Sequence, residues 1–236
     1  MIKLLKVAVR NALFERLPLG FDRNAMFYHA WGHIYNNRMR GDYLEFGVYK
    51  GDSIIYAYKN YLKFKKWNRN QLSSKEKWRV DLAKQYLDYV PNFYGFDSFS
   101  GLPTNLEENN SFQEGFFDAK LSEVQKKLEK IIPNPALTLI EGSFAEIREL
   151  PSSIDKIAIV NIDSDLCESA LIALKLCETR LQIGSVVLFD EFHGFNSNEN
   201  LGERRALREF SDSTGIIFDT FFDYGFGGRS FLITKI

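Results

Sequence analysis

Five short apolar and aromatic runs recur along the chain: YLEFG at 43–47, NFYGFD at 92–97, ALTLI at 136–140, IAIVNID at 157–163 and GSVVLFD at 184–190. They are continuously apolar rather than alternating, which marks strands covered on both faces, as in a parallel sheet. Helical stretches separate them, expected to begin near Ser53, Ser73, Ser122, Glu168 and Glu203. That β/α alternation is what right-handed crossovers between parallel strands require. The ending breaks it: IIFDTFFDYGFGGRSFLITKI is two strand-like runs joined by a glycine-rich turn, which reads as a hairpin. The expected fold class is α/β, a mostly parallel seven-stranded sheet with helices on both faces and a C-terminal antiparallel hairpin.

Composition narrows the function classes. With 30 basic and 31 acidic residues in 236, the net charge is −1, and 45% of residues are hydrophobic. Disorder needs low hydrophobicity with high net charge, and collagen-like chains need far more than 16 Gly and 6 Pro. Two cysteines, Cys167 and Cys177, cannot build a disulfide framework and show no zinc-site spacing, so a reducing, cytoplasmic location is expected. Apolar runs stay short of the roughly 18 to 20 residues of a membrane span. The first twenty residues mix Lys3, Lys6 and Arg10 with apolar residues at helical spacing, and Arg10 interrupts any signal-peptide core. Residues 1–40 are therefore expected to form a helical segment, serving as a lid or in oligomerisation, ahead of a domain at 41–236. Within that segment Phe27, Tyr28, His29, Trp31 and His33 fit either a lid over a ligand or plain core. Residues 59–79 hold eight basic side chains against Glu76 alone, with Tyr61, Phe64, Trp67 and Trp78 interleaved. This fits a nucleic-acid face or a solvated helical face whose aromatics pack inward, and the near-neutral total favours the second.

The strand ends carry the chemistry. Glu45 to Ser53 reads EFGVYKGDS, where Gly47 and Gly51 permit a tight turn and Ser53 is placed to cap a helix facing an anionic ligand. The run is ExGxxxG rather than the dinucleotide GxGxxG, against a dehydrogenase. Asp97, at the end of the second strand, is placed to accept hydrogen bonds from both hydroxyls of a ribose, or to cap a turn. Gly142, Ser143 and Phe144 follow the third strand and offer polar contacts with an aromatic wall. Asp163 and Asp165 end the fourth strand, and Asp190, Glu191 and His193 end the fifth. Four carboxylates at neighbouring strand ends repel one another, and a hard divalent cation such as Mg²⁺ relieves that repulsion; capping and salt bridges are the other reading.

These motifs make the chain resemble the class I S-adenosylmethionine-dependent methyltransferases, specifically the macrocin O-methyltransferase group that tailors sugars and antibiotics. The resemblance covers roughly residues 40–236. It rests on LEFGVYKGDS, FDSFSGLP, EGSF with a later Leu-Pro, NIDSDLCES, VVLFDE, and the Arg205-Ala206 to Glu209-Phe210 helix. It implies a Rossmann-like form of this sheet and a methyl transfer from S-adenosylmethionine to a hydroxyl of a sugar, glycoside or phenol. By motif, the implied cofactor contacts are Glu45, Gly47, Gly51, Ser53, Asp97, Ser98, Gly142, Ser143, Phe144 and Asp163. The implied Mg²⁺ ligands are Asp163, Asp190 and Glu191, and the implied base is Asp165 or His193. Two positions depart from the family: Glu191 stands where a second Asp is usual, and Cys167 where a Tyr is common. A homo-oligomer with a small-molecule acceptor, no nucleic acid and no membrane span is expected. Competing readings are a nucleic-acid methyltransferase using 59–79, which lacks an NPPY-like motif, and a non-catalytic cofactor-binding module, for which Glu191 is the support.

Overall fold

The structure is a computed structural model that describes residues 22–107 and 112–236. Its sheet has seven strands: β1 (Asp42–Phe46), β2 (Phe93–Asp97), β3 (Leu137–Glu141), β4 (Ile157–Ile162), β5 (Val186–Phe189), β6 (Ile217–Tyr224) and β7 (Gly228–Lys235). They lie in the order β3-β2-β1-β4-β5-β7-β6. The first five are parallel, and β7 pairs antiparallel with both β5 and β6. The continuous apolar runs behave as expected, since every residue of β1, β2, β4 and β5 is buried.

Successive side chains of a strand point to opposite faces, so each central strand feeds two cores. Tyr43, Phe93 and Ile159 pack on one face against α1 (Arg23–Asn36), α2 (Asp52–Asn70) and α4 (Leu121–Glu129). Leu44, Phe96 and Val160 pack on the other against α5 (Cys167–Cys177) and α6 (Gly202–Thr214). A short α3 (Lys77–Lys84) precedes β2. All five helices expected to follow strands are present, four starting within one residue of the expected position and α3 four residues later. Strand order reverses between β1 and β4, and at such a switch point the loops leaving the carboxyl ends diverge and open a crevice.

Of the N-terminal segment, residues 1–21 lie outside the described residues. Residues 23–36 form α1, and its Met26, Phe27, Ala30, Trp31 and Ile34 are wholly buried, so Phe27 and Trp31 are core and do not stand over a ligand. Asp22 caps the helix by accepting a hydrogen bond from the Ala25 backbone N–H at 2.5 Å. The buried Asn60 of α2 donates to the Asn24 side chain at 2.9 Å, which ties the start of α1 to the domain. In the basic stretch Tyr61 turns inward, whereas Trp67 and Trp78 are exposed. Among the described residues no helix is long and apolar enough to cross a membrane.

Trp31→Ala is expected to cost about 3–5 kcal/mol of stability, and Trp78→Ala less than about 0.5 kcal/mol. Chemical denaturation measures both, and equal losses contradict this assignment of the core.

Candidate functional site

A cleft of about 1120 Å³ opens at the carboxyl ends of β1 to β5, over the switch point. Its floor is Gly47, whose φ of +92° lies in the left-handed region and whose added Cβ would stand 1.8 Å from the Asp163 carbonyl oxygen. Only glycine lets the loop leaving β1 pass so close to the end of β4. On either side the Gly47 N–H donates to the Phe96 carbonyl, and the Asp163 N–H to that of Phe46. Asp97 then fixes the wall. One carboxylate oxygen accepts the backbone N–H groups of Val48 and Tyr49, and the other that of Phe99, all at 2.7 Å. The turn-capping role and a place on the cleft wall thus coexist in one residue, since a carboxylate has lone pairs beyond these three bonds. Ser98, Gly142, Ser143 and Phe144 line the cleft, and Phe144 packs edge-on against Phe46 with ring centres 5.4 Å apart.

Three residues expected at the cofactor lie beneath the cleft instead. Glu45 is wholly buried on β1, where its carboxyl accepts from the Tyr43 hydroxyl and from the Ser53 hydroxyl, the latter at 2.6 Å. Burial pushes Glu45 up to about 8, against the opposing effect of those two bonds. Ser53 is therefore not the helix cap. The cap position is Gly51, left-handed at φ +75°, and its added Cβ would press on Leu128 at 3.0 Å. Glu45, Gly51 and Ser53 brace the loop that carries Gly47 and do not line the cleft.

The four acids do converge. Asp163, Asp165, Asp190 and Glu191 all line one side of the cleft. Asp165 sits in the left-handed region at φ +61°, just before α5, and its carboxyl is pushed up to about 8 by burial and then by Asp163 and Glu191. Burial, reinforced by Asp163, also raises Glu191. Behind them Glu203 is wholly buried, accepts the Glu191 backbone N–H at 2.9 Å, and is raised strongly by its burial.

Sequence reasoning missed the residue that meets this charge. Arg23, at the first turn of α1, places Nη1 3.1 Å from Asp163 Oδ2 and donates from Nε to Asp190 Oδ1 at 2.7 Å, while Nη2 contacts Asp190 Oδ2. The expected Mg²⁺ site at Asp163, Asp190 and Glu191 does not fit this arrangement. A guanidinium spans the two aspartates, and Glu191, which also lines the cleft, makes no contact with it and has Oε2 3.2 Å from where a Cβ on Gly227 would stand. Among the described residues no group of three His, Cys, Asp or Glu is placed to hold a metal ion. His193 is placed outside the cleft lining: its ring nitrogens face Ser197 at 3.2 Å and Asp223 at 3.4 Å, and the turn after β5 carries it toward the hairpin. Glu107 was also missed. It accepts the backbone N–H of Cys167 at 2.9 Å and of Gly202 at 2.8 Å, satisfying the starts of α5 and α6 together. No spacing signal marks Arg23 or Glu107, since each acts across 60 residues or more.

No family model matches the chain, and no curated protein matches it. Solved structures do. The O-methyltransferase NovP is 19% identical with a TM-score of 0.65, over 90% of this chain and 80% of that one. The calicheamicin methyltransferase CalS11 is 18% identical with a TM-score of 0.61, over 94% and 85%. An O-methyltransferase from Bacillus cereus in complex with SAH is 12% identical with a TM-score of 0.52, over 98% and 90%. What the chain shares with these structures is the fold.

The buried Glu45 generates a pH test. Its native carboxyl keeps a proton that the unfolded chain loses near 4.5, so its contribution to stability is full below about 4.5 and is lost as pH rises through about 8. Glu45→Gln keeps the neutral shape and removes that slope. Its melting temperature should match the parent near pH 5 and exceed it near pH 8, and a gap that does not change with pH contradicts the assignment.

Proposed function

We propose that this chain is an S-adenosylmethionine-dependent O-methyltransferase whose acceptor is the hydroxyl of a small molecule, a sugar, glycoside or phenol. The observation that carries the reading is the cleft over the Gly47–Asp163 close approach, walled by the loops that Asp97 fixes and edged on one side by acids. In this reading Asp97 would hold the ribose and the loop at Gly47 the amino-acid end of the cofactor, while Phe144 would cover the adenine and Ser143 would offer it a polar partner. Asp165 lies across the cleft at the start of α5 and takes the acceptor proton. A carboxyl raised to about 8 is matched to that work, because an efficient base titrates near the working pH. Methyl transfer itself needs the hydroxyl oxygen held in line with the sulfonium carbon, so most of the acceleration comes from positioning.

Sugar acceptors are supported by the neighbours, one of which is described as a TDP-rhamnose 3'-O-methyltransferase with a TM-score of 0.53. A second solved neighbour, the O-methyltransferase TomG from Streptomyces achromogenes, is described in complex with SAM, which supports the cofactor. The free thiols of Cys167 and Cys177, both buried, support a reducing cytoplasmic setting.

Calorimetry with S-adenosylhomocysteine should give one site per chain, weakened at least about tenfold in Asp97→Ala, where charge-assisted hydrogen bonds are lost. Asp165→Asn should keep that affinity and lower methyl transfer to a panel of sugars, glycosides and phenols by roughly 10²–10⁴. A chain without affinity for S-adenosylhomocysteine, or an Asp165→Asn enzyme at the parental rate, contradicts the reading.

A further inference from the structure

We infer that Arg23 is the resident cation of the acidic edge and stands in place of a divalent ion, so that the strand ends which would otherwise hold Mg²⁺ are closed to it. The inference deepens the functional reading above and rests on it for the role of the cleft, though its geometry is independent of turnover. Three contacts carry it. The guanidinium reaches Asp163 through Nη1 at 3.1 Å and holds Asp190 by a two-pronged grip from Nε and Nη2. A planar guanidinium suits such a grip, and unlike a bound metal it cannot be removed by chelation.

Arg23 is also delivered rigidly. Asp22 caps α1 on one side of it, Asn24 is held by the buried Asn60 on the other, and the helix beyond is anchored by wholly buried Met26, Phe27 and Trp31. The third expected ligand, Glu191, also lines the cleft but lies against Gly227 and Gly194 and makes no contact with the guanidinium that joins the two aspartates.

The exchange has a consequence for the acceptor. A divalent ion with open positions binds two neighbouring substrate oxygens at once, which selects vicinal diols. A guanidinium has five N–H donors. Three are used on Asp163 and Asp190, which leaves two for an oxygen in the cleft that Arg23 lines. Arg23 is thus a positioning residue that orders the edge and offers one hydrogen-bonding face, and an acceptor with a single hydroxyl satisfies it.

The test is Mn²⁺ titration of the full chain, followed by the loss of the free-ion electron paramagnetic resonance signal, with neither cofactor nor acceptor present. The parent chain should leave Mn²⁺ free up to about 1 mM, the weak end of biological divalent sites. Arg23→Ala should gain one ion per chain with affinity raised at least about tenfold, a gain that Asp190→Asn in the same chain removes. Arg23→Lys, which keeps a positive charge, should gain none. A parent chain that binds one Mn²⁺ and loses it in Asp190→Asn overturns the inference, whatever the Arg23 variants do. An Arg23→Ala chain that melts cooperatively yet gains no ion overturns it as well. Neither result depends on S-adenosylhomocysteine binding, so a failed functional reading and a failed cation assignment are told apart.

Discussion

Parallel strands end together, and in this chain they end in acid. Asp163, Asp165, Asp190 and Glu191 lie along one side of a single cleft, with Glu203 buried directly behind. At separations of a few ångströms in a partly dry site, unscreened like charges cost several kcal/mol, and the chain meets that cost in two ways. Burial and mutual repulsion push Asp165 toward its neutral form, and Arg23 supplies a fixed positive charge between Asp163 and Asp190. The position of that arginine depends in turn on the aromatic packing of α1 against the sheet, where Trp31 lies 5.4 Å from Tyr61 and 6.0 Å from Phe93 between ring centres. Core and site are therefore one mechanical unit: loosening the helix would move the cation.

The second constraint is steric. The loops that wall the cleft converge on Gly47 and Asp97, and each does more than one task. Gly47 lets β1 and β4 close to backbone contact, while Asp97 gathers three N–H groups that would otherwise be orphaned at the rim. Preorganisation of this kind is what a transfer reaction needs, because little reorganisation is left for the moment of reaction. Glu107 plays the matching part on the opposite wall by satisfying the first turns of α5 and α6.

How much of this could be read in the amino acids follows from how each feature is encoded. Continuous apolar runs are local, so the strands, their parallel pairing and the hairpin were legible, as was the gathering of four acids at one edge. Direction was less legible. Glu45 and Ser53 belong to the glycine-turn motif after the first strand, but β1 is buried on both faces and a motif does not say which way a side chain points. His193 follows the acids in sequence, yet the turn after β5 carries it to Asp223. Arg23 was illegible for a different reason: its partner Asp190 is 167 residues away, and no local pattern marks a charge whose counterpart only the fold supplies. An acidic cluster in a sequence therefore announces that some cation is present without saying which.

The most direct measurement is a crystal structure of the full chain with S-adenosylhomocysteine, grown in MnCl₂ and recorded at the manganese edge. The account predicts the cofactor product in the cleft over Gly47, with its ribose at Asp97 and the Arg23 guanidinium between Asp163 and Asp190, and no anomalous peak at that position. A manganese peak bridging Asp163 and Asp190, with Arg23 turned away, would contradict it.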